Sequence, residues 1–250
     1  MRRNITSNVL LPILFVAVGS LAALYCVNLS RQTHQVEETS VPIEEGKVEE
    51  VVIDHLISEY DPIFKKVGED HDIDWLLLAA IAKTESVFNI EAESHRGAIG
   101  LMQIMPGVAE NIRKDHEGEV DLLDPLTNVE VAAELIDENI KMLGLPKKPS
   151  LEQWKFVLAC YNAGYSRIDD ARSLAKHFDV DANDWSIVGM FLSWLSDPAF
   201  SELEVVKSGP FYGSKETLGY VNSVINTHKE YSKQIAEESE KEMAKDKESK

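Results

Sequence analysis

The feature that most constrains the fold of this chain is the run from Trp75 to Ala82, in which no side chain is polar. A helix that is apolar on every side has no face for water, so it must lie in a core. Glu85 follows this run closely, and its carboxyl is therefore expected at the end of a buried helix. A buried carboxylate is costly unless it has a partner or a task. We therefore predict a helical core with an acid at its edge.

A glycine-rich turn follows the acid. Gly97 and Gly100 bracket a short loop, and glycine allows backbone conformations and close approaches that other residues exclude. Gln103 comes three residues after Gly100. A buried acid beside a glycine loop and a polar amide indicates an acid–base site. From the helix alone, a structural acid held by a hydrogen bond and a general acid with a raised pKa are equally supported for Glu85.

Composition excludes several classes of function. The formal net charge of -18 over 250 residues argues against a nucleic-acid partner, because phosphate binding requires clustered Lys and Arg. The seven histidines show no HExxH or other ligand spacing, so no metal site is expected. The chain has neither a GxSxG elbow nor a phosphate-binding loop, and we expect no cofactor. Its length leaves room for one sizeable domain with appendages.

Residues 1–30 are predicted to form a signal-anchor or signal segment. Arg2 and Arg3 precede an uncharged stretch, residues 9–27, which is about long enough to cross a bilayer as a helix. Positive charge on the N-terminal side places that end in the cytoplasm and the remainder outside. We therefore favour an uncleaved membrane anchor.

A cleaved signal peptide is the main alternative, with Ser20 and Ala22 as the small residues before the cut. A lipoprotein site at Cys26 is a third option, and the bulky Tyr25 directly before the cysteine argues against it. All three interpretations export the rest of the chain. Residues 31–50 are polar and acidic, and they are predicted to be a flexible linker.

Residues 51–232 are expected to form one all-α domain, followed by a charged tail at 233–250 that is either a solvent-exposed helix or disordered. Strand-like alternation is limited to Leu203–Val206, and the stretch from Ala175 to Pro210 is longer than a minimal domain needs. Helix starts are marked by capping residues or by proline in the first turn, at Asp61 with Pro62, Asp74, Asp124 with Pro125, and Ser150 with Gln153. Further helices are predicted near Val108 and Ile112, from Trp185 to Leu195, and through Leu218, Val221 and Ile225.

Four motifs add a family resemblance to this pattern. They are Glu-Ser-x-Phe at 85–88, Ser-x-x-Gly-Ala-x-Gly-Leu-Met-Gln-Ile-Met-Pro at 94–106, Tyr-Asn-Ala-Gly at 161–164 and Glu-Thr-x-x-Tyr-Val at 216–221. In this order they resemble the catalytic domain of soluble-type lytic transglycosylases. Those enzymes cleave peptidoglycan glycan strands and share a fold with goose-type lysozyme, so the resemblance implies an all-α, lysozyme-like single domain. The departures are small: Cys160 stands where the family usually has alanine, and Ala132 where it often has glycine.

The resemblance implies that one glutamate, Glu85, acts first as acid and then as base. It would protonate the glycosidic oxygen between N-acetylmuramic acid and N-acetylglucosamine. The resulting carboxylate would take the proton of the muramic acid C6 hydroxyl, which attacks C1 of its own ring. The resemblance also assigns substrate contacts to a set of residues around the acid, namely Ser94, Gly100, Gln103, Met105, Tyr161, Asn162 and Tyr220.

Several of these residues have a structural alternative. Met105 could fill the core, and Ser94 could be a local cap of the turn. Tyr161 could be a core aromatic with a satisfied hydroxyl, and Asn162 could fix the end of a helix.

Two other functions stay open. A muramidase-type hydrolase on the same fold would need a second carboxylate brought in by folding, such as Asp169, Asp170 or Glu216. A catalytically silent peptidoglycan-binding module would have no need of a buried acid, so Glu85 argues against it. The expected partners are peptidoglycan glycan strands and, through the N-terminal segment, a membrane. The predicted location is the cell envelope, with the domain outside the cytoplasm.

Overall fold

The computed structural model describes residues 57–115 and 120–248. These described residues form helices and turns, without a β-strand. The helices are α1 (Asp61–His71), α2 (Trp75–Ser86), α3 (Pro106–Ile112), α4 (Pro125–Met142), α5 (Leu151–Ala163), α6 (Tyr165–His177), α7 (Trp185–Trp194), α8 (Pro198–Ser201) and α9 (Ser214–Glu248). The predicted all-α class is confirmed for this part of the chain.

Helix α2 is the centre of the core. Every residue from Leu76 to Ala82 is buried, as the absence of a polar face predicts. Helices α1 and α9 pack directly against α2, and α5 packs against α9. Full burial of one leucine side chain contributes about 2 kcal/mol, so this segment anchors the domain strongly. The acid at its C-terminal end is thereby held on a rigid element.

Local capping chemistry explains most helix starts. The carboxylate of Asp74 accepts a hydrogen bond from the Leu76 amide at 3.0 Å, and that of Asp124 accepts one from Thr127 at 2.8 Å. Ser150 and Gln153 form the predicted capping box. These caps confirm the predicted starts of α2, α4 and α5, because each satisfies amides of the first turn that have no partner within the helix.

The predicted cap at Asp61 is wrong. Tyr60 occupies the N-cap position of α1 and makes no side-chain cap, while Pro62 lies in the first turn as expected. The Asp61 side chain is buried and accepts hydrogen bonds from the amides of Ile57 and Ser58, each at 2.9 Å. The carboxylate therefore binds the chain that enters the helix instead of the helix itself.

The structure also departs from expectation after α5. Helix α6 follows α5 directly at Gly164, which has φ of 85° and turns the chain between them. Leu203–Val206 forms turns, so the strand considered there is wrong. Helix α9 continues through the predicted tail to Glu248, in agreement with the solvent-helix alternative.

The stretch from Ala175 to Pro210 builds an aromatic cluster beside α6. The ring centroids of Phe178 and Phe191 lie 5.6 Å apart, and those of Trp194 and Phe200 lie 4.8 Å apart. Such pairs stabilise by about 1 kcal/mol beyond their buried area. The cluster joins α6, α7 and α8, and it supports the loop that leads into α9.

The predicted N-terminal segment and acidic linker lie outside the described residues. Among the residues that are described, no helix combines the length and the apolar character needed to span a bilayer.

Candidate active site

Glu85 lies in the last turn of α2, where the chain leaves the core. The next two residues, Val87 and Phe88, both adopt positive φ angles, 54° and 63°. The left-handed region is unfavourable for a β-branched residue such as valine, so neighbouring contacts must hold this turn. One such contact is the hydroxyl of Ser86, which donates to the carbonyl of Leu101 at 2.9 Å. This bond joins the acid-bearing turn to the glycine loop.

The surroundings of Glu85 favour the protonated form of its carboxyl group. Burial raises the pKa of its carboxyl from 4.5 to about 7, because a low-dielectric environment disfavours the charged form. The Tyr220 hydroxyl opposes this shift by hydrogen bonding, and the charge of Glu216 adds to it. At neutral pH a substantial fraction of Glu85 is therefore protonated, which is the state a general acid requires.

Tyr220 is 8% exposed and belongs to α9. Its hydroxyl makes no hydrogen bond of good geometry within the described chain, although it lies close enough to the Glu85 carboxyl to lower the pKa of that group. We interpret the contact as a poorly aligned hydrogen bond, since catalytic hydrogen bonds are often long without substrate. The phenol is a buried donor close to the acid.

Tyr161 flanks Glu85 from α5. Its hydroxyl donates to the carbonyl oxygen of Met102 at 2.7 Å, and burial together with the neighbouring Glu85 raises the pKa of the phenol well above its usual range. Two phenols from different helices, Tyr161 and Tyr220, therefore lie close enough to Glu85 to interact with it electrostatically. Both stay uncharged at neutral pH, so neither adds a second negative charge to the site.

The glycine loop is a compact double turn. Ile99 and Ile104 exchange two backbone hydrogen bonds of 3.0 Å, and Gln103 at their tip has φ of 50°. The Gln103 amide nitrogen donates to the carbonyls of Ala92 and Gly100, at 3.0 and 3.1 Å. Its amide group therefore ties the loop together, which leaves the side-chain oxygen for a ligand.

Asn128 was not identified from the sequence, yet it fixes this loop to α4. Its carbonyl oxygen accepts from the Met102 amide at 2.8 Å, and its nitrogen donates to the carbonyls of Ile99 and Leu122, both at 2.9 Å. The side chain is fully buried. A sequence signal did exist: Asn128 shares the apolar face of α4 with Ala132, one turn later, where a polar residue needs a buried partner.

Gly100 permits the close approach of the loop to Asn128. A Cβ at this position would lie 2.5 Å from the Asn128 side-chain nitrogen and 2.6 Å from the Leu122 carbonyl oxygen. Gly97 has nearly the same φ, 81° against 80°, but a Cβ there would meet nothing within 4 Å. Both glycines therefore adopt a positive φ, but only Gly100 leaves no space for a side chain.

We expect Gly100→Ala to lower the free energy of unfolding by about 3 kcal/mol and Gly97→Ala by about 1 kcal/mol. Both substitutions force alanine into the left-handed region of the backbone. Only Gly100→Ala also pushes a Cβ against Asn128 and so disturbs the hydrogen bonds of that side chain. Urea denaturation of both variants measures this difference. Equal destabilisation would show that the close packing at Gly100 contributes nothing.

The remaining residues predicted to contact substrate, Met105, Ser94 and Asn162, differ in exposure and in hydrogen bonding. Met105 is 40% exposed at the start of α3, so it does not fill the core. The Ser94 hydroxyl accepts from the Ala98 amide at 3.0 Å, as a local cap of the turn does. Asn162 is exposed near the end of α5, whose C-cap is Gly164.

The three further carboxylates have different surroundings. Asp170 is buried and accepts hydrogen bonds from the amides of Lys207 and Ser208, at 2.7 and 2.9 Å. Asp169 accepts a long hydrogen bond, 3.4 Å, from Tyr165. Glu216 alone among the three acts on the pKa of Glu85.

Within the described ranges, no group of three or more His, Cys, Asp or Glu side chains is arranged to hold a metal ion. Two grooves of about 750 and 550 Å³ lie elsewhere, one along α3 and one beside Trp75, and neither includes Glu85. Charge and burial, not cavity size, therefore identify the site.

The helical domain has a lysozyme-like fold of the kind found in SLT domains, and Glu85 lies beside two phenols and the glycine loop. Residues 62–183 match the family model of the transglycosylase SLT domain. The predicted resemblance is confirmed.

Known relatives share this region. Membrane-bound lytic murein transglycosylase F of Yersinia pestis is 35% identical over 149 residues, 59% of this chain and 29% of that protein. The protein of the same name from Salmonella choleraesuis is 32% identical over 169 residues, 67% of this chain and 29% of its own length. The 70-kDa soluble lytic transglycosylase of Escherichia coli matches in structure with a TM-score of 0.50 and 28% identity, over 69% of this chain and 24% of that one. The chain thus spans less than a third of these relatives.

Proposed function

We propose that this chain is a lytic transglycosylase that cleaves the β-1,4 bond between N-acetylmuramic acid and N-acetylglucosamine in peptidoglycan. The observation that carries the proposal is the half-buried Glu85, whose pKa is raised to about 7 beside the SLT-family glycine loop. The names of the relatives support the same reaction class.

In the proposed reaction, protonated Glu85 donates its proton to the glycosidic oxygen as the bond to C1 breaks. The Glu85 carboxylate then removes the proton from the C6 hydroxyl of the muramic acid, whose oxygen forms the new bond to C1. The product is a 1,6-anhydro ring, and Glu85 is protonated again. No water is consumed, and the nucleophile is held on the reacting sugar itself.

The geometry supports different tasks for the other residues. Tyr220 and Tyr161 shield the acid from water without adding charge, and the buried Tyr220 hydroxyl can donate to the carboxylate that forms in the first step. Met105 and Asn162 are exposed and suited to touch the glycan, as is the free oxygen of Gln103. Ser94 and Gly100 shape the loop that carries these contacts.

The proposal includes export and a membrane anchor. Arg2 and Arg3 followed by the uncharged residues 9–27 support a segment that inserts with its N-terminus in the cytoplasm. The peptidoglycan substrate lies outside the cytoplasm, in the cell envelope. The Yersinia and Salmonella relatives are described as membrane-bound, which supports the same location.

A muramidase-type hydrolase is the second candidate, and the position of Glu216 is the observation that favours it. A hydrolase of this kind needs a second carboxylate to activate water or to attack C1. Glu216 is exposed and lies within electrostatic range of Glu85, whereas Asp170 is committed to the amides of Lys207 and Ser208.

Glu216→Gln separates these two candidates. If Glu85 works alone, we expect the variant to release soluble fragments from isolated peptidoglycan at a rate within about tenfold of wild type. The alkaline limb of the pH–rate profile should shift to lower pH, because removal of the Glu216 charge lowers the pKa of Glu85. Glu138→Gln, which changes an exposed carboxylate on α4, is the control. A loss as large as that of Glu85→Gln would instead assign the reaction to a pair of carboxylates.

A further inference from the structure

Helices α2 and α9 are linked at both ends of their shared interface. Near the C-terminal end of α2, Glu85 lies beside Tyr220 of α9 and within electrostatic range of Glu216. At the N-terminal end of α2, Asp74 meets His228, which lies further along α9. The two helices are therefore antiparallel, and the acid site lies at one end with a histidine–aspartate pair at the other.

The histidine–aspartate pair is close and directional. The Nε2 atom of His228 lies 2.7 Å from Oδ2 of Asp74, while Oδ1 of Asp74 accepts the capping hydrogen bond from Leu76. The hydrogen bond from His228 is the main cause that lowers the pKa of Asp74. One carboxylate thus fixes the first turn of α2 and holds α9 at the same time.

The spacing of the pairs matches along the two helices. At about 1.5 Å per residue, Asp74 and Glu85 are separated by about 16 Å, and His228 lies about 12 Å from Tyr220 and about 18 Å from Glu216 along α9. Glu85 is therefore level with the turn of α9 that carries its two neighbours. A slide of α9 along α2 would move both neighbours relative to the acid by the same distance.

The apolar packing between the ends and the His228–Asp74 contact both act on the register of α9. Val221, Val224 and Ile225 bury apolar side chains against the core. Apolar burial is non-directional and depends mainly on area, and the interdigitated side chains of a close-packed interface resist large slides. By contrast, the strength of the 2.7 Å hydrogen bond between His228 and the Asp74 carboxylate depends steeply on distance and angle.

We propose that His228 is a positioning residue, which sets the register of α9 on α2 through Asp74 and thereby places Tyr220 and Glu216 at Glu85. This proposal rests on the proposed function for its catalytic consequence. The surroundings of Glu85 would depend on the contact at the opposite end of α2 whether or not the protein turns over substrate. The groups that face Glu85 are Tyr161, Tyr220 and Glu216, and the group that faces His228 from α2 is Asp74.

The variants are chosen to separate positioning from simple stability. His228→Ala removes the donor, and His228→Gln keeps a side-chain N–H. Asp74→Ser keeps a capping oxygen for α2 while it removes the acceptor of His228. The matched control is His71→Ala, because His71 Nδ1 lies 2.7 Å from Oδ2 of Asp137 in a pair that joins α1 and α4.

Two readouts are measured on full-length protein, well below the melting temperature. The first is the titration of the Glu85 carboxyl by ¹³C NMR, with its signal assigned by its loss in Glu85→Gln. The second is kcat and KM for solubilised glycan strands. We expect His228→Ala and Asp74→Ser to move the Glu85 titration by about half a unit or more and to lower kcat about tenfold with KM retained. His228→Gln should stay near wild type, and His71→Ala should lower the melting temperature only.

An unchanged Glu85 titration in His228→Ala and Asp74→Ser would overturn the positioning role, as would an equal change in His71→Ala. Absence of turnover in the wild-type protein would contradict the proposed function instead. In that case the titration still decides whether His228 sets the surroundings of Glu85.

Discussion

Glu85→Gln is expected to lower glycan cleavage by about 1,000-fold or more, because a positioned general acid contributes 10² to 10⁴ and no second acid replaces it. Gln has nearly the same shape but has no proton to donate to the glycosidic oxygen. In the wild type, kcat/KM should fall above about pH 7, where Glu85 loses its proton. Release of soluble fragments from peptidoglycan measures both effects, with Glu138→Gln on α4 as the exposed control. Activity near that of the wild type would remove Glu85 from the reaction.

The same substitution is also expected to raise the stability of the fold at pH values above the ordinary pKa of glutamate. The pKa of Glu85 is higher in the folded state, about 7, than the ordinary value of 4.5, so the unfolded chain releases this proton first as the pH rises. Folding stability of the wild type therefore falls between pH 4.5 and 7 and stays lower above that range. Glu85→Gln avoids the loss.

We expect the Glu85→Gln variant to equal the wild type near pH 4 and to be more stable at pH 8. The full shift corresponds to about 3 kcal/mol, and partial solvent contact reduces the expected gain to between about 1 and 2 kcal/mol. Thermal denaturation at the two pH values measures it. A large fall in melting temperature at both values would make Glu85 a structural residue.

The second large effect is expected at Asn128. Asn128→Ala leaves the Met102 amide and the carbonyls of Ile99 and Leu122 without their partner inside the core. Each unsatisfied buried group costs about 1–3 kcal/mol, and with the cavity we expect a loss of about 4 kcal/mol in the free energy of unfolding. Cleavage should fall as well, since the loop carrying Gln103 and Met105 loses its attachment to α4.

Asn139→Ala is the matched control. Asn139 is also buried in α4, but its amide nitrogen has no hydrogen-bond partner among the described residues. We expect it to cost less than half as much as Asn128→Ala, without a change in cleavage. Urea denaturation of both variants gives the comparison. Equal losses would show that the hydrogen bonds of Asn128 contribute little beyond its volume.

The sequence predicts those parts of the fold that depend on interactions between residues a few positions apart. The apolar run before Glu85 can only be buried, and the caps at Asp74, Asp124 and Ser150 act on amides two or three residues away. Asp61 shows the limit of this logic, because an Asp-Pro pair also fits a carboxylate that binds the preceding chain.

The parts that the sequence did not predict depend on contacts between distant segments. Asn128 is an ordinary helix residue until the glycine loop, 26 positions upstream at Met102, packs against it. Glu216 was one of three carboxylates that folding could bring to the acid, and packing of α9 on α2 selects it. The pKa of Glu85 likewise follows from burial by several helices. Local pattern therefore locates the acid, and tertiary packing defines its surroundings.

The chemical nature of the new glycan ends tests the central claim most directly. Full-length protein incubated with isolated peptidoglycan should release muropeptides that end in 1,6-anhydro-muramic acid, because the C6 hydroxyl is the nucleophile available to a single acid–base residue. These products are lighter by one water than those of a hydrolase, and they resist borohydride reduction. Mass spectrometry before and after reduction distinguishes the two. Anhydro ends are the expected result; reducible ends alone would contradict the transglycosylase assignment, and binding without release would favour a silent peptidoglycan-binding module.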